Sequence, residues 1–466
     1  MKQIKLIRSI FVLIAALLTS TLNAQEAKYI FYFIGDGMGN AHVMMTDNYR
    51  RLALGQEQPL NMLQLPVHSF ATTYSASSPV TDSAAAGTAL STGSKTRNSM
   101  LGMNADTIAV TSIAKYLHDS GYGVAIMTNV AADDATPGAF YAHVPNRSMS
   151  YEIGRQAAES GYELIAGASL RGLTKDGKST GLAEYIASQG VDLLTSPEAV
   201  AASTNRRIIL TPSTSIWEWD MGFTVDSIPG AMSVNDLTVT AINHLTRHTP
   251  DKFFMMIESG NIDHAAHAND GGAVVKEVYA FDKAIGTALD FYRQHPDETL
   301  IIITADHETG GMTVGNNCTG YMAHPEYLVP QSISKDMFSI YCDSIAQSPT
   351  RPSWEQMKAY LTDHLGLFTT IPLSQSREDH LKGAFNATFI KGESERQETL
   401  YSNFNAFPVE VFNILNEEAG IGWTTRGHSG NFVPVFAIGV GSDLFTGLND
   451  NTAIPMKILK AANIRQ

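Results

Sequence analysis

Ser83 heads a run of small residues, Ser83-Ala84-Ala85-Ala86-Gly87, behind the polar stop Ser77-Ser78-Pro79-Val80-Thr81-Asp82. Alanine favours helix and Asp or Ser favours a helix cap, so a helix is expected to start at Ser83. The free N–H groups and positive dipole end at such a start attract an anion, and a hydroxyl held there can meet a phosphate. Alone, a serine in this position is an ordinary cap. Acids and histidines elsewhere could assemble round it. Asp263 and His267 are four apart and share a face if their segment is helical. Asp306 and His307 are adjacent in a turn, and His428 sits in a glycine-flanked loop, Gly427-His428-Ser429-Gly430. Nitrogen and carboxylate ligands without cysteine suit catalytic zinc. Asp36, Glu258 and Thr136 would make a hard oxygen set of the kind that suits magnesium.

These residues need elements that bring them together. Tyr29–Ile34, Lys252–Ile257 and Thr299–Thr304 are continuous apolar runs, as expected of strands buried on both faces. They deliver Asp36, Glu258 and Asp306 respectively, and Gly35-Asp36-Gly37-Met38-Gly39 allows a sharp turn after the first. Val67–Tyr74, Gly123–Met127 and Val433–Ile438 read as further strands, with short apolar runs at Glu163–Ala166 and Arg207–Leu210. Thr111–Leu117 reads as helix, and Val274, Val275, Val278, Phe281, Ile285 and Leu289 mark a long one. Alternating strands and helices imply an α/β doubly wound, mostly parallel sheet, where ligands bind beyond the C-terminal strand ends. Three acids at three such ends are hard to explain as caps and point to a metal site. Residues from about 315 to 425 are more polar, lack long apolar runs and read as an inserted cap; Trp217 and Trp219 are expected to cover core.

The chain has 466 residues, 44% hydrophobic and 17% charged, which is ample for a large core. In residues 1–24, Lys2, Lys5 and Arg8 precede an apolar run from Ile10 to Leu18 and small or polar residues to Ala24. This is a secretory signal peptide pattern, too short in its apolar run for a membrane span. Its removal takes three positive charges and no acid, so the net charge of −14 becomes −17. A mature chain that acidic is a poor non-specific binder of nucleic acid or anionic membrane. Cys318 and Cys342 could form one disulfide in an exported protein, and neither has metal-ligand spacing.

Six segments in order, Gly35-Asp36-Gly37-Met38-Gly39, Thr81-Asp82-Ser83-Ala84, Asp134-Ala135-Thr136-Pro137, Glu258 to His267, Thr304-Ala305-Asp306-His307 and Gly427-His428-Ser429-Gly430, resemble an alkaline phosphatase. The resemblance covers the chain from about Tyr29 to Ile438. It implies a three-layer α/β sandwich, a single catalytic domain over 25–466, and a variable crown at about 315–425. It implies hydrolysis of phosphate monoesters with Ser83 as the nucleophile that becomes phosphorylated. It implies two zinc ions and one magnesium ion per chain: Asp263, His267 and His428 for one zinc, Asp306, His307 and Asp36 for the other, and Asp36, Glu258 and Thr136 for magnesium. Asp134 matches an acid beside that magnesium that acts mainly through bound water. Arg147 matches the phosphate clamp, and His264 stands where members carry lysine or histidine that meets phosphate directly or through water. A homodimer is also implied, while the signal peptide pattern places the mature protein in the periplasm or outside the cell.

Two alternatives differ in what they need. A phosphodiesterase or sulfatase on the same scaffold is opposed by the plain serine at Ser83 and by Arg147, whose fork suits a doubly charged monoester. A non-catalytic metal-binding surface protein is opposed by the intact set of candidate ligands.

Overall fold

The computed structural model describes residues 26–212, 220–393 and 395–465. The candidate signal peptide and Trp217 and Trp219 lie outside them. A ten-stranded sheet runs through the middle. Its strands in chain order are β1 (Tyr29–Gly35), β2 (Val67–Thr72), β3 (Gly123–Thr128), β4 (Leu164–Ala166), β5 (Asp192–Leu194), β6 (Ile208–Leu210), β7 (Phe253–Ser259), β8 (Thr299–Thr304), β9 (Val433–Gly439) and β10 (Leu448–Asp450). In space they lie β10-β2-β9-β8-β1-β7-β3-β4-β6-β5. All neighbours are parallel except that β9 runs against both β8 and β2. The mostly parallel α/β architecture is therefore the one expected. The two strands not foreseen, β5 and β10, are short and sit at the two edges.

The continuous apolar runs are explained by what covers them. Alternate residues of a strand point to opposite faces. Phe31 and Phe33 pack on Phe291 and Phe281 of one long helix, while the Tyr32 hydroxyl reaches the Leu90 carbonyl of another on the opposite face. The helices used below are α1 (Ser83–Thr92), α2 (Asn261–His267), α3 (Gly271–Gln294) and α4 (Lys335–Gln347). Helix α3 covers the Phe31 face and α1 the Tyr32 face, which makes three layers. Ile34 of β1 is level with both Glu258 of β7 and Thr304 of β8, so these three strands end along one rim.

The polar region after residue 315 has a core of its own, including Phe338, Trp354, Leu361, Phe385 and Phe412. Cys342 is buried in it on α4, whereas Cys318 is exposed, and both are free thiols. The candidate disulfide is therefore not formed: one thiol lies in the core and the other at the surface. Among the described residues, no helix is long and apolar enough to cross a membrane.

Candidate active site

The rim is assembled from strand ends. Asp36 follows β1, Glu258 closes β7 and Asp306 follows β8 by two residues. Gly37 holds a positive φ of 73°, and a Cβ there would lie 2.9 Å from the Asp263 Cα, so only glycine lets the turn pass α2. Its N–H donates to Asp306 Oδ1 at 3.1 Å, as does the His307 N–H at 2.9 Å. Helix α1 begins at Ser83, as expected, with Asp82 as its cap accepting the Ala85 N–H at 3.0 Å. This aims the helix start at the rim and leaves Ser83 Oγ 3.2 Å from His307 Nε2.

Two groups of potential ligand atoms lie there, each with its members within 4.8 Å of one another: Asp36 with Asp306 and His307, and Asp263 with His307 and His428. Asp263 and His267 share a face of α2, with Oδ2 and Nε2 3.3 Å apart, and His267 Nε2 is 3.1 Å from His428 Nε2. His428 is not in an open loop: His428–Ser429 pairs antiparallel with Glu308–Thr309, and this ladder stacks the His428 ring on His307 with centroids 3.6 Å apart.

The partners of the outer ring nitrogens fix the histidine tautomers. His428 Nδ1 donates to the Thr81 carbonyl at 2.8 Å, and His267 Nδ1 donates to the Arg426 carbonyl. Thr309 donates its hydroxyl proton to Asp263, so it accepts from His307 Nδ1 at 3.2 Å. All three rings therefore turn Nε2 toward one space, where each neutral ring offers a lone pair. Metal-binding histidines characteristically donate their other N–H in this way.

The carboxylates tell the same story. Asp36 Oδ1, Glu258 Oε2, Asp263 Oδ2, Asp306 Oδ2 and the Thr136 hydroxyl are buried with no hydrogen-bond partner among the described residues. Such groups are costly unless something else satisfies them. Burial, reinforced by the neighbouring acids, pushes Asp36 well above the carboxylate range, Glu258 up to about 8 and Asp306 up to about 7. For Asp263 burial also pushes upward, but His267, His428 and His307 overrule it and hold it low. Burial lowers His307 and His428. Clustered acids, converging imidazoles and orphaned oxygens fit divalent cations, and the donors match zinc and magnesium preferences.

Beside the rim opens a cleft of 720 Å³. Arg147 enters it between Asp134, at 3.1 Å, and Asp82, at 3.6 Å. Asp134 caps the short turn that carries Thr136, accepting the Ala135 N–H at 2.7 Å. Burial pushes its carboxyl up, but Arg171 and Arg147 outweigh that and hold it well below the usual range. His264 lies behind, its Nδ1 3.6 Å from Asp220 Oδ2.

Among the cleft residues that the sequence does not single out are Arg171 and Tyr401. Arg171 stands 3.2 Å from Asp134, and its backbone N–H donates to Asp133 at 3.0 Å. It follows β4, so the strand-end rule was the signal that could have found it. Tyr401 comes from the polar insert and lies over His264, with ring centroids 3.9 Å apart. No local pattern marks it.

The fold and rim define a three-layer α/β protein with a metal-binding site at its strand ends. The alkaline phosphatase family profile matches residues 27–176 and 218–464. The chain belongs to the alkaline phosphatase family, a family of phosphomonoester hydrolases. Alkaline phosphatase 4 of Bacillus subtilis is 27% identical over 454 residues, covering 93% of this chain and 89% of its own length. The alkaline phosphatase of Schizosaccharomyces pombe is 27% identical over 451 residues, covering 92% and 80%. Among solved structures, a cold-active alkaline phosphatase from Shewanella sp. superposes with a TM-score of 0.78 at 26% identity, covering 93% of this chain and 99% of that one.

Proposed function

We propose that this protein hydrolyses phosphate monoesters to an alcohol and inorganic phosphate through a phosphoserine on Ser83. The observation that carries the reading is the convergence of three imidazole Nε2 atoms and four orphaned carboxylate oxygens beside a serine at a helix start. Asp263, His267 and His428 would hold one zinc, Asp306, His307 and Asp36 a second, and Asp36, Glu258 and Thr136 a magnesium. When bound, such ions stabilise negative charge on the attacking and leaving oxygens and lower the pKa of bound water.

The chain's own groups do the rest. The start of α1 presents Ser83 and free N–H groups to the phosphoryl oxygens. Arg147 can offer two parallel N–H donors to the non-bridging oxygens, which favours the dianion of a monoester over a diester. Asp82 and Asp134 hold that guanidinium in place, and Arg171 shares the load on Asp134. Ser83 Oγ forms a bond to phosphorus as the ester P–O bond breaks, and the serine proton ends on the departing alcohol by way of solvent. Water then forms a P–O bond as the P–Oγ bond breaks, returning Ser83 and releasing phosphate. His264 backs the cleft and reaches phosphate directly or through water.

The test compares a chromogenic phosphate monoester with the matching diester and sulfate, using wild type and Ser83→Ala, with metals supplied and after chelation. Monoester turnover that requires both Ser83 and metal is expected. Preference for diester or sulfate would overturn the account of Arg147. Metal-loaded protein that turns over no ester would point to the non-catalytic alternative.

Export to the periplasm or beyond rests on the pattern in residues 1–24. A single catalytic domain over 25–466 carrying a crown-like insert fits the second core, and a homodimer follows from the family resemblance alone.

A further inference from the structure

We propose that Leu400 and Tyr401, at the tip of a hairpin in the insert, form a platform that selects monoesters whose alcohol carries a flat, apolar group. This rests on the monoesterase reading and adds to it the side of the substrate that the rim does not touch. Apart from Gly177, the other described residues lining the cleft are polar or charged, among them Asp82, Asp134, Arg147 and Arg171. Leu400 and Tyr401 supply its carbon-rich surface. Leu400 is 61% exposed, so its side chain is open to a ligand in the cleft that it lines. Tyr401 is set by its contacts: its ring lies over His264 at 3.9 Å and meets His267 edge-on at 5.2 Å.

The hairpin is held firmly enough to act as a fixed surface. Its strands, Arg396–Glu398 and Asn403–Asn405, are paired. Across the tip the Thr399 N–H donates to the Ser402 carbonyl at 2.8 Å, and the Ser402 N–H returns to the Thr399 hydroxyl at 3.0 Å. Ser402 donates its hydroxyl to Asp336, and Arg396 donates to Asp343 at 2.6 Å, both on α4. Phe404 is buried under the Lys335 ammonium, 4.6 Å from the ring centroid. That ammonium donates in turn to the Ala268 carbonyl at 2.8 Å, directly after the helix that carries Asp263 and His267. The platform and the rim are thus tied to the same helix. A surface that needs no ordering on binding gives more of its contact energy to the ligand.

Arg147 and His428 line this cleft together with Leu400 and Tyr401, so an ester whose phosphoryl group is held by Arg147 would turn its alcohol toward them. An aromatic ring there gains stacking and burial that a short alkyl chain does not. The test measures kcat/KM for 2-phenylethyl phosphate and for n-propyl phosphate, whose alcohols leave with similar ease. Their ratio in wild type is expected to fall about 3- to 10-fold in Tyr401→Ala and to stay within about twofold in Tyr401→Phe. Leu400→Ala, at an exposed side chain that does not threaten folding, is expected to lower the ratio about twofold. An unchanged ratio in Tyr401→Ala and Leu400→Ala would overturn the proposal. So would an equal loss on both esters, which would mean that Tyr401 only props up His264 and His267. Wild type that hydrolyses neither ester would instead overturn the monoesterase reading beneath it.

Discussion

Stripping the metals should turn the rim into a proton store, and its size can be worked out. Burial and neighbouring acids push Glu258 up to about 8 and Asp306 up to about 7. Burial pulls His267 down, but the adjacent Asp263 overrides it and leaves it raised. Burial and the neighbouring acids raise Asp36 as well, so near neutral pH the stripped fold holds about three protons that metal ligation must expel, because ligands bind deprotonated. The carboxyls prefer the proton in the fold, so the stripped protein loses stability as pH rises from their unfolded values near 4 through their folded ones. A raised histidine gives stability that is full below about 6.5 and is lost as pH rises through its folded value. Both act in one direction. His307 and His428, lowered by burial, are neutral in the fold and release nothing. Each proton expelled is worth about 1.4 kcal/mol per pH unit. The stability gap between loaded and stripped protein should widen by roughly 4 kcal/mol per pH unit near pH 6.5 and more slowly above about 8. Urea unfolding of both forms at buffered free zinc and magnesium measures the gap, and loading in weak buffer counts the protons. A gap equal at both ends of this range, with no proton release, would refute a metal site built from these residues.

Two substitutions probe the supports of the site. Thr309→Val removes the hydroxyl that donates to Asp263 and receives His307 Nδ1, and should weaken metal binding about 10- to 100-fold in a chelator competition. Arg171→Ala leaves Asp133, fully buried, and Asp134 with one cation fewer, and should cost about 3 to 5 kcal/mol in urea unfolding; a change below about 1 kcal/mol would show that backbone N–H groups suffice.

The sequence made the centre of the sheet legible and blurred its margins, for a physical reason. β1, β7 and β8 are covered on both faces, so they must be apolar throughout, and the acids that end them stand out. β5 has only half-buried residues and β10 a mixed set, so neither needed an apolar run. The Ser83 helix start and the Asp263–His267 pair were readable because local geometry sets them. His428 gave the type of residue but not its setting, since its place depends on pairing with a segment about 120 residues earlier. Arg171 and Tyr401 act through tertiary approach alone. Arg171 sits in a single turn at Arg171–Leu173, and Tyr401 reaches the rim on a hairpin fixed by α4.

The reversed direction of β9 has a consequence for how this chain can change. β8 ends at the rim, and β9, running the other way, begins there. The excursion between them therefore leaves and returns at one place. Its neck is stitched by two short ladders, Glu308–Thr309 with His428–Ser429 and Thr313–Val314 with Ile421–Gly422. Closing a loop costs only about 0.6 kcal/mol more for each doubling of its length. The excursion is a cassette whose length and content can drift cheaply while the sheet and rim keep their register. Selectivity on this scaffold can then be inherited separately from the chemistry.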